Sequence, residues 1–389
     1  MQNFDFYNPT RIIFGKNVVE QIVNYVKIYG KKVCLFYEGQ GNWTIKTNGL
    51  YKKVMELIKG CDVCEVTDVE ANPRIETVKK AIKVCRDNDV DVLLAIGGTS
   101  VLDCAKAVAA GYYYYGDPWD FVSEKEKIKK ALPIIDIMTM AATGSHMNNM
   151  AIISNVSKGQ KRGISSPLLF PKVSFLDPTY TFTIPKRQTA AGTADIMSHI
   201  METYFNDIDG TQIQDGLAFT LLKICIKDGE KSINDPENYE SRANIMWAST
   251  LAFNGILAAG GDIPWSVHMM EHVLSAVYNV IHGEGLAVLT PSWMRYILDD
   301  TTAIKFKEFG VNVWGIDSSL SDFEAANLAI NELEDFFINV LHLPSKLSEI
   351  GVDDSKFDEM AEIAVKGTTI NGYKSLNKED VINIYKMCK

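Results

Sequence analysis

Asp195 and His199 stand four residues apart in AAGTADIMSHIME, an apolar segment with helical periodicity, so their side chains are expected on one helix face. Two further histidines, His268 and His282, flank another helical run in PWSVHMMEHVLSAVYNVIHGEG. One carboxylate and three imidazoles can close around a single divalent cation. The set holds no thiolate, which separates it from structural zinc knots. Its nitrogen and oxygen donors suit Fe(II), Zn(II), Mn(II) or Co(II), with a coordination position left open for substrate. A buried histidine is more often a hydrogen-bonded core residue than a ligand, so spacing alone leaves both readings open.

Ligands mounted on facing helices need a helical bundle around them. Beyond LDPTYTFTIPKRQ the chain meets that need, because DGLAFTLLKICIKDGEKSI, YESRANIMWASTLAFNGILAAG, SLSDFEAANLAINELEDFFINVL, FDEMAEIAVKGTTI and EDVINIYKMC all read as helices. Pro178 and Pro185 bracket the change of character. Before it, KKVCLFYEG, CDVCEVTDV, VDVLLAIGG and ALPIIDIMTM read as strands. Between them, TNGLYKKVMELIKG and IETVKKAIKVCRDND read as helices, the signature of a parallel sheet wrapped by helices. In IGGTSVLDCAKAVAAG a buried strand turns through Gly97 and Gly98 straight into a helix, whose N–H groups and dipole suit a pyrophosphate. Gly39 and Gly41 supply only a fragment of a G-x-G-x-x-G motif after the first of these strands. Glu38, at that strand's end, is placed to accept hydrogen bonds from both ribose hydroxyls and to repel a 2′-phosphate, which predicts NAD(H) in preference to NADP(H). The expected architecture is an α/β, Rossmann-like dinucleotide-binding domain over residues 1–183 and an all-helical, metal-binding and catalytic domain over 184–389.

Three long stretches, NFDFYNPTRIIFGKN, LDPTYTFTIPKRQTAAGTADIMSHIMETYF and VHMMEHVLSAVYNVIHGEGLAVLTPSW, occur in an order that resembles the iron-dependent (group III) alcohol dehydrogenases, most closely their butanol dehydrogenase branch. The resemblance covers nearly the whole chain and implies the iron-containing alcohol dehydrogenase fold, related to dehydroquinate synthase. It implies that Asp195, His199, His268 and His282 bind one Fe(II) or Zn(II). It carries a phosphate-binding G-G-G-S-x-x-D motif onto Gly97, Gly98, Ser100 and Asp103, with Thr99 in place of the third glycine. A β-branched residue is costly there if φ must be positive. In helical backbone it is tolerated, and its hydroxyl can face phosphate. In TMAATGSHMNNMAIISN the resemblance places Thr139, Thr143, Gly144 and Ser145 along the nicotinamide and phosphates. His146 replaces the usual Glu of that segment, which either alters pH dependence or exchanges one hydrogen-bond partner for another. Lys161 is implied as a cation beside the cofactor ribose, and His272 as a proton relay beside the nicotinamide, a core histidine being the alternative. His342 has no such context and reads as structural.

The activity implied is metal-dependent, NAD(P)H-linked hydride transfer between short-chain primary alcohols and aldehydes, in a homodimer. Trp265, Phe253, Asn254, Trp119 and Met150 are the candidate lining, mainly apolar and without an arginine clamp for carboxylate or phosphate. Two rivals stand beside this reading. A lyase of the dehydroquinate synthase type would need a basic cluster for a phosphorylated sugar acid, and none is evident. A catalytically weakened binding relative is motivated by Thr99 and His146 and opposed by the complete ligand set.

Composition limits the other classes. The 389 residues exceed what one compact core usually holds, and the formal net charge of −10 argues against nucleic-acid or anionic-membrane partners. No apolar run approaches the roughly 20 residues of a membrane span. The start, MQNFDFYNPT, lacks a basic region followed by an apolar one, so a cytoplasmic location is expected. Seven cysteines, an odd number spread along the chain, read as reduced thiols. Cys61 and Cys64 form a C-x-x-C within the strand-like CDVCEVTDV, where no helix N-terminus lowers a thiol pKa, so no redox role is expected of that motif. Cys34, Cys85, Cys104, Cys225 and Cys388 read as small packing residues.

Overall fold

The computed structural model describes residues 1–38, 45–46 and 49–389. Gly39, Gly41 and most of the loop they occupy lie outside the described residues. The chain divides into two compact units. A sheet unit comprises Tyr7–Pro185 with Pro236–Thr250, and a helical unit comprises Met1–Phe6, Lys186–Asp235 and Leu251–Lys389.

Eight strands are described: β1 (Arg11–Phe14), β2 (Lys32–Tyr37), β3 (Asp62–Val66), β4 (Val92–Gly97), β5 (Ile134–Met138), β6 (Met150–Asn155), β7 (Gln160–Ser165) and β8 (Val173–Leu176). Helices α1 (Ile22–Tyr29), α2 (Leu50–Leu57), α3 (Ile75–Asp87), α4 (Thr99–Gly111) and α5 (Trp119–Val122) alternate with them. Then come α6 (Lys186–Tyr204), α7 (Gln212–Asn234), α8 (Tyr239–Ala252), α9 (Ser266–Tyr278) and α10 (His282–Ile297). The chain closes with α11 (Ala303–Phe309), α12 (Asp322–Asp335), α13 (Phe357–Val365) and α14 (Lys378–Met387).

Six strands form one sheet in the order β1-β8-β5-β4-β2-β3, and every neighbouring pair is parallel. Strands β6 and β7 pair separately as an antiparallel hairpin. Strand side chains alternate between faces, and a parallel sheet is covered on both, so its strands must be apolar throughout. Val33, Leu35 and Tyr37 of β2 pack with Val92, Leu94 and Ile96 of β4 against α1 and α2. The intervening Cys34, Phe36, Leu93 and Ala95 pack on the other face against α3 and α4. Because β3 leaves β2 on one side and β4 takes the other, the strand order reverses at β2 and β4. Tyr37 pairs with Ile96, so Glu38 and Gly97 leave adjacent strand ends at the kind of switch point where open α/β sheets bind ligands.

In the helical unit, α6 is buried from Thr189 to Tyr204 and packs on α7 and α10, while α10 packs on α9. The stretch YESRANIMWASTLAFNGILAAG is helical only to Ala252, because Gly255 and Gly260 take φ of 95° and 76°, which breaks the helix. Residues 236–250, read from sequence within the helical half, group with the sheet unit, where Met246 joins the core on the α3–α4 face.

Candidate active site

Asp195, His199 and Glu202 lie on α6 at i, i+4 and i+7, one stripe of the helix. His268 enters from α9 and His282 from the first residue of α10. The donor atoms of Asp195, His268 and His282 all lie within 4.8 Å of one another. His268 Nε2 is 3.8 Å and His282 Nε2 3.7 Å from Asp195 Oδ1. Both distances are too long for a hydrogen bond. Among the described residues Asp195 Oδ1 and His268 Nε2 are buried and have no hydrogen-bond partner, although His199 Nδ1 lies 3.2 Å from that carboxylate oxygen. An unpaired buried polar atom costs about 1–3 kcal/mol, and a cation between these atoms would satisfy both. His199 stands beside the group. Its Nδ1 donates to the Asp195 carbonyl at 2.8 Å, which leaves Nε2 for a ligand, and its ring centroid is 4.5 Å from that of His268.

Two buried glutamates hold the imidazoles. Glu202 Oε2 accepts from His268 Nδ1 at 2.5 Å, and its Oε1 accepts from the Val267 N–H. Glu271 on α9 accepts from His282 Nδ1 and from the Ser275 hydroxyl. Each bond fixes the tautomer with the Nε2 lone pair turned toward Asp195, as carboxylate partners do for metal-bound histidines. Asp195, Glu202 and Glu271 are 3%, 2% and 0% exposed, so three carboxylates share a dry site that only positive charge can balance. Burial opposes the Asp195 charge, but His199, His268 and His282 outweigh it and hold the carboxyl well below the usual carboxylate range. Burial likewise opposes a charged His268, yet Glu202 and Asp195 raise its pKa to about 9. Both shifts show a site that draws in positive charge, where a metal would replace the proton.

The turn into α10 reads His282-Gly283-Glu284-Gly285, and each residue helps to set the imidazole. A Cβ on Gly283 would stand 1.9 Å from the Ala191 carbonyl oxygen, so only glycine lets α10 approach α6 this closely. A Cβ on Gly285 would stand 2.8 Å from Glu271 Cγ, in the space of the carboxylate that holds His282. Glu284, nearly inaccessible, forms a fork with the Arg187 guanidinium at the start of α6. Trp265, which caps α9, holds φ of 58° and packs its indole against Phe253, His199 and His268. Left-handed backbone costs a bulky residue roughly 1–2 kcal/mol, a strain retained beside the candidate ligands. Half-buried His272 has its ring centroid 6.0 Å from that of His268 and 5.6 Å from that of His282.

In the sheet unit, Gly98 caps α4 and Thr99 is its first helical residue, so backbone N–H groups at the β4–α4 turn point outward as an anion site requires. Thr99 Oγ1 and Thr143 Oγ1 are 2.8 Å apart, and Ser100 Oγ accepts from the Asn72 N–H. Thr139 follows β5, and its N–H donates to the Gly97 carbonyl while its hydroxyl is buried without a partner among the described residues. Asp103 is turned inward, accepting from Ser145 Oγ at 2.7 Å and from the Ile152 N–H at 2.9 Å. It therefore ties the Ser145 loop and the hairpin to α4. Lys106, one turn later, is fully buried. Its ammonium donates to Ser145, Asn148 and Met150 at 2.7–3.0 Å and fastens the same loop from beneath. Lys161 sits on β7 opposite Ser154. Burial raises the Glu38 carboxyl to about 7, and its Oε1 has no partner among the described residues. Trp119 is packed into the core on the α3–α4 face.

The comparisons with known proteins agree with both halves. The model described as iron-containing alcohol dehydrogenase matches residues 9–178, and its C-terminal counterpart matches 189–388. The chain belongs to the iron-containing alcohol dehydrogenase family. Within that family it is 49% identical to NADH-dependent butanol dehydrogenase A of Clostridium acetobutylicum over 99% of each chain. It is 38% identical to the NADPH-dependent aldehyde reductase YqhD of Escherichia coli over 91% of each chain. The solved structure of NADH-dependent butanol dehydrogenase A from Thermotoga maritima superposes with a TM-score of 0.94 at 36% identity, covering 100% of this chain and 99% of that one. The protein is an oxidoreductase of this family, with the family's sheet-plus-helical fold.

The two departures from the family pattern resolve locally. Thr99 lies in helical backbone, where a β-branched residue is tolerated. His146 is buried and its pKa is pushed down to about 3, by burial first and then by Lys106. It therefore stays neutral at ordinary pH. The Thr250 hydroxyl donates to the Met246 carbonyl, so its 2.7 Å contact with His146 Nε2 must be donated by the ring. Of the two readings of the substitution, exchange of a hydrogen-bond partner is the one this geometry carries.

Sequence reasoning missed Glu202, Glu271, Gly283, Arg187 and Lys106. A signal existed for the glutamates, since each lies three residues beyond a candidate ligand on the same helix. None existed for the contact of Gly283 with Ala191, a meeting of two distant segments.

Proposed function

We propose that the protein interconverts short-chain primary alcohols and aldehydes with NAD(P)H. In this reading Asp195, His199, His268 and His282 hold one divalent metal, Fe(II) or Zn(II). The observation that carries it is the convergence of Asp195 Oδ1, His268 Nε2 and His282 Nε2 in a dry site backed by two further carboxylates. The donor set fits: it is hard and borderline, lacks thiolate, and has two buried atoms without hydrogen-bond partners among the described residues. A divalent ion bound there would supply Lewis-acid polarisation of the substrate oxygen. The chain's own residues do the rest. Glu202 and Glu271 keep the imidazoles in the ligating tautomer. Phe253 and Trp265 exclude water and offer an apolar wall to the alkyl chain, and Arg187 with Glu284 anchors the end of α10.

Gly97, Gly98, Thr99, Ser100, Thr143 and Ser145 would cradle the dinucleotide phosphates, with Asp103 and Lys106 holding that cradle from below. Thr139 and Lys161 would complete the contacts, and Glu38 would accept from the ribose hydroxyls, favouring NADH over NADPH. The net reduction delivers hydride from the nicotinamide to the carbonyl carbon and a proton to its oxygen, and His272 is the candidate to relay that proton. A cytoplasmic homodimer completes the proposal; no described helix is long and apolar enough to cross a membrane.

The test is NADH oxidation with butyraldehyde, on protein stripped of metal and reloaded anaerobically with Fe(II) or Zn(II) in separate samples. Turnover that returns only with metal supports the reading. Absence of turnover with NADH and NADPH, at confirmed metal occupancy, would overturn it. Comparable catalytic efficiency with the two cofactors would refute the NADH preference alone.

A further inference from the structure

The activity above leaves a group of thiols in the sheet unit unused. Cys34 in β2 and Cys64 in β3 are paired residue to residue by the parallel register. Neighbouring strands run about 4.7–4.9 Å apart, inside the roughly 4.4–6.8 Å separation that disulfide Cα atoms adopt. Both side chains belong to the α3–α4 face: Cys34 is part of that core, Cys64 packs against it, and Cys85 and Cys104 lie in the same cluster. Cys61 packs with the core on the opposite face of the sheet. The C-x-x-C is therefore not a pair. The thiol that Cys64 meets is Cys34, thirty positions earlier in the chain.

The two differ in access. Cys34 is 0% exposed, whereas Cys64 is only half-buried. They differ in acidity as well. Contact with Cys64 first, then with Cys85 and with burial, drives the Cys34 thiol up, while the hydrogen bond from Cys34 lowers that of Cys64. The thiolate is the nucleophile, so the sulfur that is less deeply buried, Cys64, is the one placed to meet an oxidant first.

We infer that Cys64 and Cys34 form a peroxide-sensitive pair, with Cys64 the attacking thiol and Cys34 the resolving one. The Cys64 thiolate attacks one oxygen of hydrogen peroxide, the O–O bond breaks, and a sulfenic acid and, after protonation, water result. The Cys34 sulfur then attacks the sulfenic sulfur, the S–O bond breaks, and a second water leaves with the Cys34 proton. Two thiols are oxidised to one disulfide while one peroxide is reduced to two waters. The bridge would tie β3 to β2, the strand whose end carries Glu38, and a thiol reductant would reverse it.

The test uses the 389-residue protein loaded with Zn(II), which has no redox chemistry with peroxide. The protein is treated with hydrogen peroxide, its free thiols are alkylated, and it is digested without reduction for mass spectrometry. The expected product joins the Cys34 peptide to the Cys64 peptide with loss of two hydrogens. It should persist in Cys61→Ser, vanish in Cys64→Ser, and disappear from wild type on reduction. A link through Cys61 or Cys85 would overturn the inference. So would sulfinate at Cys64 with Cys34 still alkylated, or thiols that peroxide leaves untouched. Cys64→Ser replaces a half-buried side chain, and its melting temperature confirms that a missing link is not a missing fold.

Discussion

Replacing Gly283 by alanine is the sharpest probe of how the candidate metal centre is assembled. The added Cβ would stand 1.9 Å from the Ala191 carbonyl oxygen, 2.5 Å from its carbon and 2.9 Å from its Cα, where real Cβ contacts essentially never fall below 3.0 Å. All three atoms are backbone, and none is a flexible side-chain end. The start of α10 must therefore retreat from α6 by about 1.1 Å, the difference between 3.0 and 1.9 Å. His282, the preceding residue, moves with it and away from Asp195, from which its Nε2 is already 3.7 Å distant. Metal bonds tolerate only about 0.2 Å, so His282 would cease to be a ligand. Overpacking of this kind costs roughly 1–3 kcal/mol of stability. Metal affinity should fall by at least the roughly 10–100-fold that loss of an outer-shell partner produces. Competition with a chelator for Zn(II), read beside thermal melts of the metal-free protein, separates the two effects. Gly216→Ala is the control: it lies on an exposed face of α7 with nothing within 4 Å of the new methyl, and should be neutral or stabilising by about 0.5–1 kcal/mol. Wild-type metal affinity in Gly283→Ala would refute the argument that the α6–α10 approach sets the ligand geometry.

Three further outcomes are expected. Glu202→Gln keeps the shape beside His268 but removes the negative charge, and should weaken metal binding by about 10–100-fold; unchanged chelator competition would show that the glutamate does not act through the histidine. His272→Phe should lower kcat by about 100-fold while leaving metal content intact, and equal loss of both would reduce His272 to a packing residue. Glu38, its pKa raised to about 7 by burial, must shed its proton before accepting from ribose hydroxyls. NADH affinity should therefore rise between pH 6 and pH 8, by up to about 10-fold per unit below the pKa. The same raised pKa makes burial of Glu38 cost stability as pH climbs through 7. A pH dependence of NADH affinity that survives in Glu38→Gln would remove the residue from the cofactor site.

Much of the architecture is legible in the sequence, because it rests on short-range regularities. Burial on both faces of the sheet explains why β2 and β4 read as continuous apolar runs, and the apolar 3.6-residue period marks α6 and α9. The four-residue step from Asp195 to His199 puts both on one helix face before any fold is known. Helix ends were less legible: the stretch after Ala252 keeps a helical composition, yet positive φ at Gly255 and Gly260 ends the helix. Tertiary structure alone decided which distant groups meet. Glu202 finds His268 across 66 positions, and Arg187 finds Glu284 across 97. Cys64 meets Cys34 rather than Cys61, because Cys61, just before β3, packs on the opposite face of the sheet while register brings residues from neighbouring strands together. Residue types and local periods are properties of a segment, so the sequence determined the candidate ligands and the elements that carry them. Closeness between segments follows from how their surfaces pack, so only the folded chain decided what surrounds each ligand, what holds it, and which glycine lets it into place.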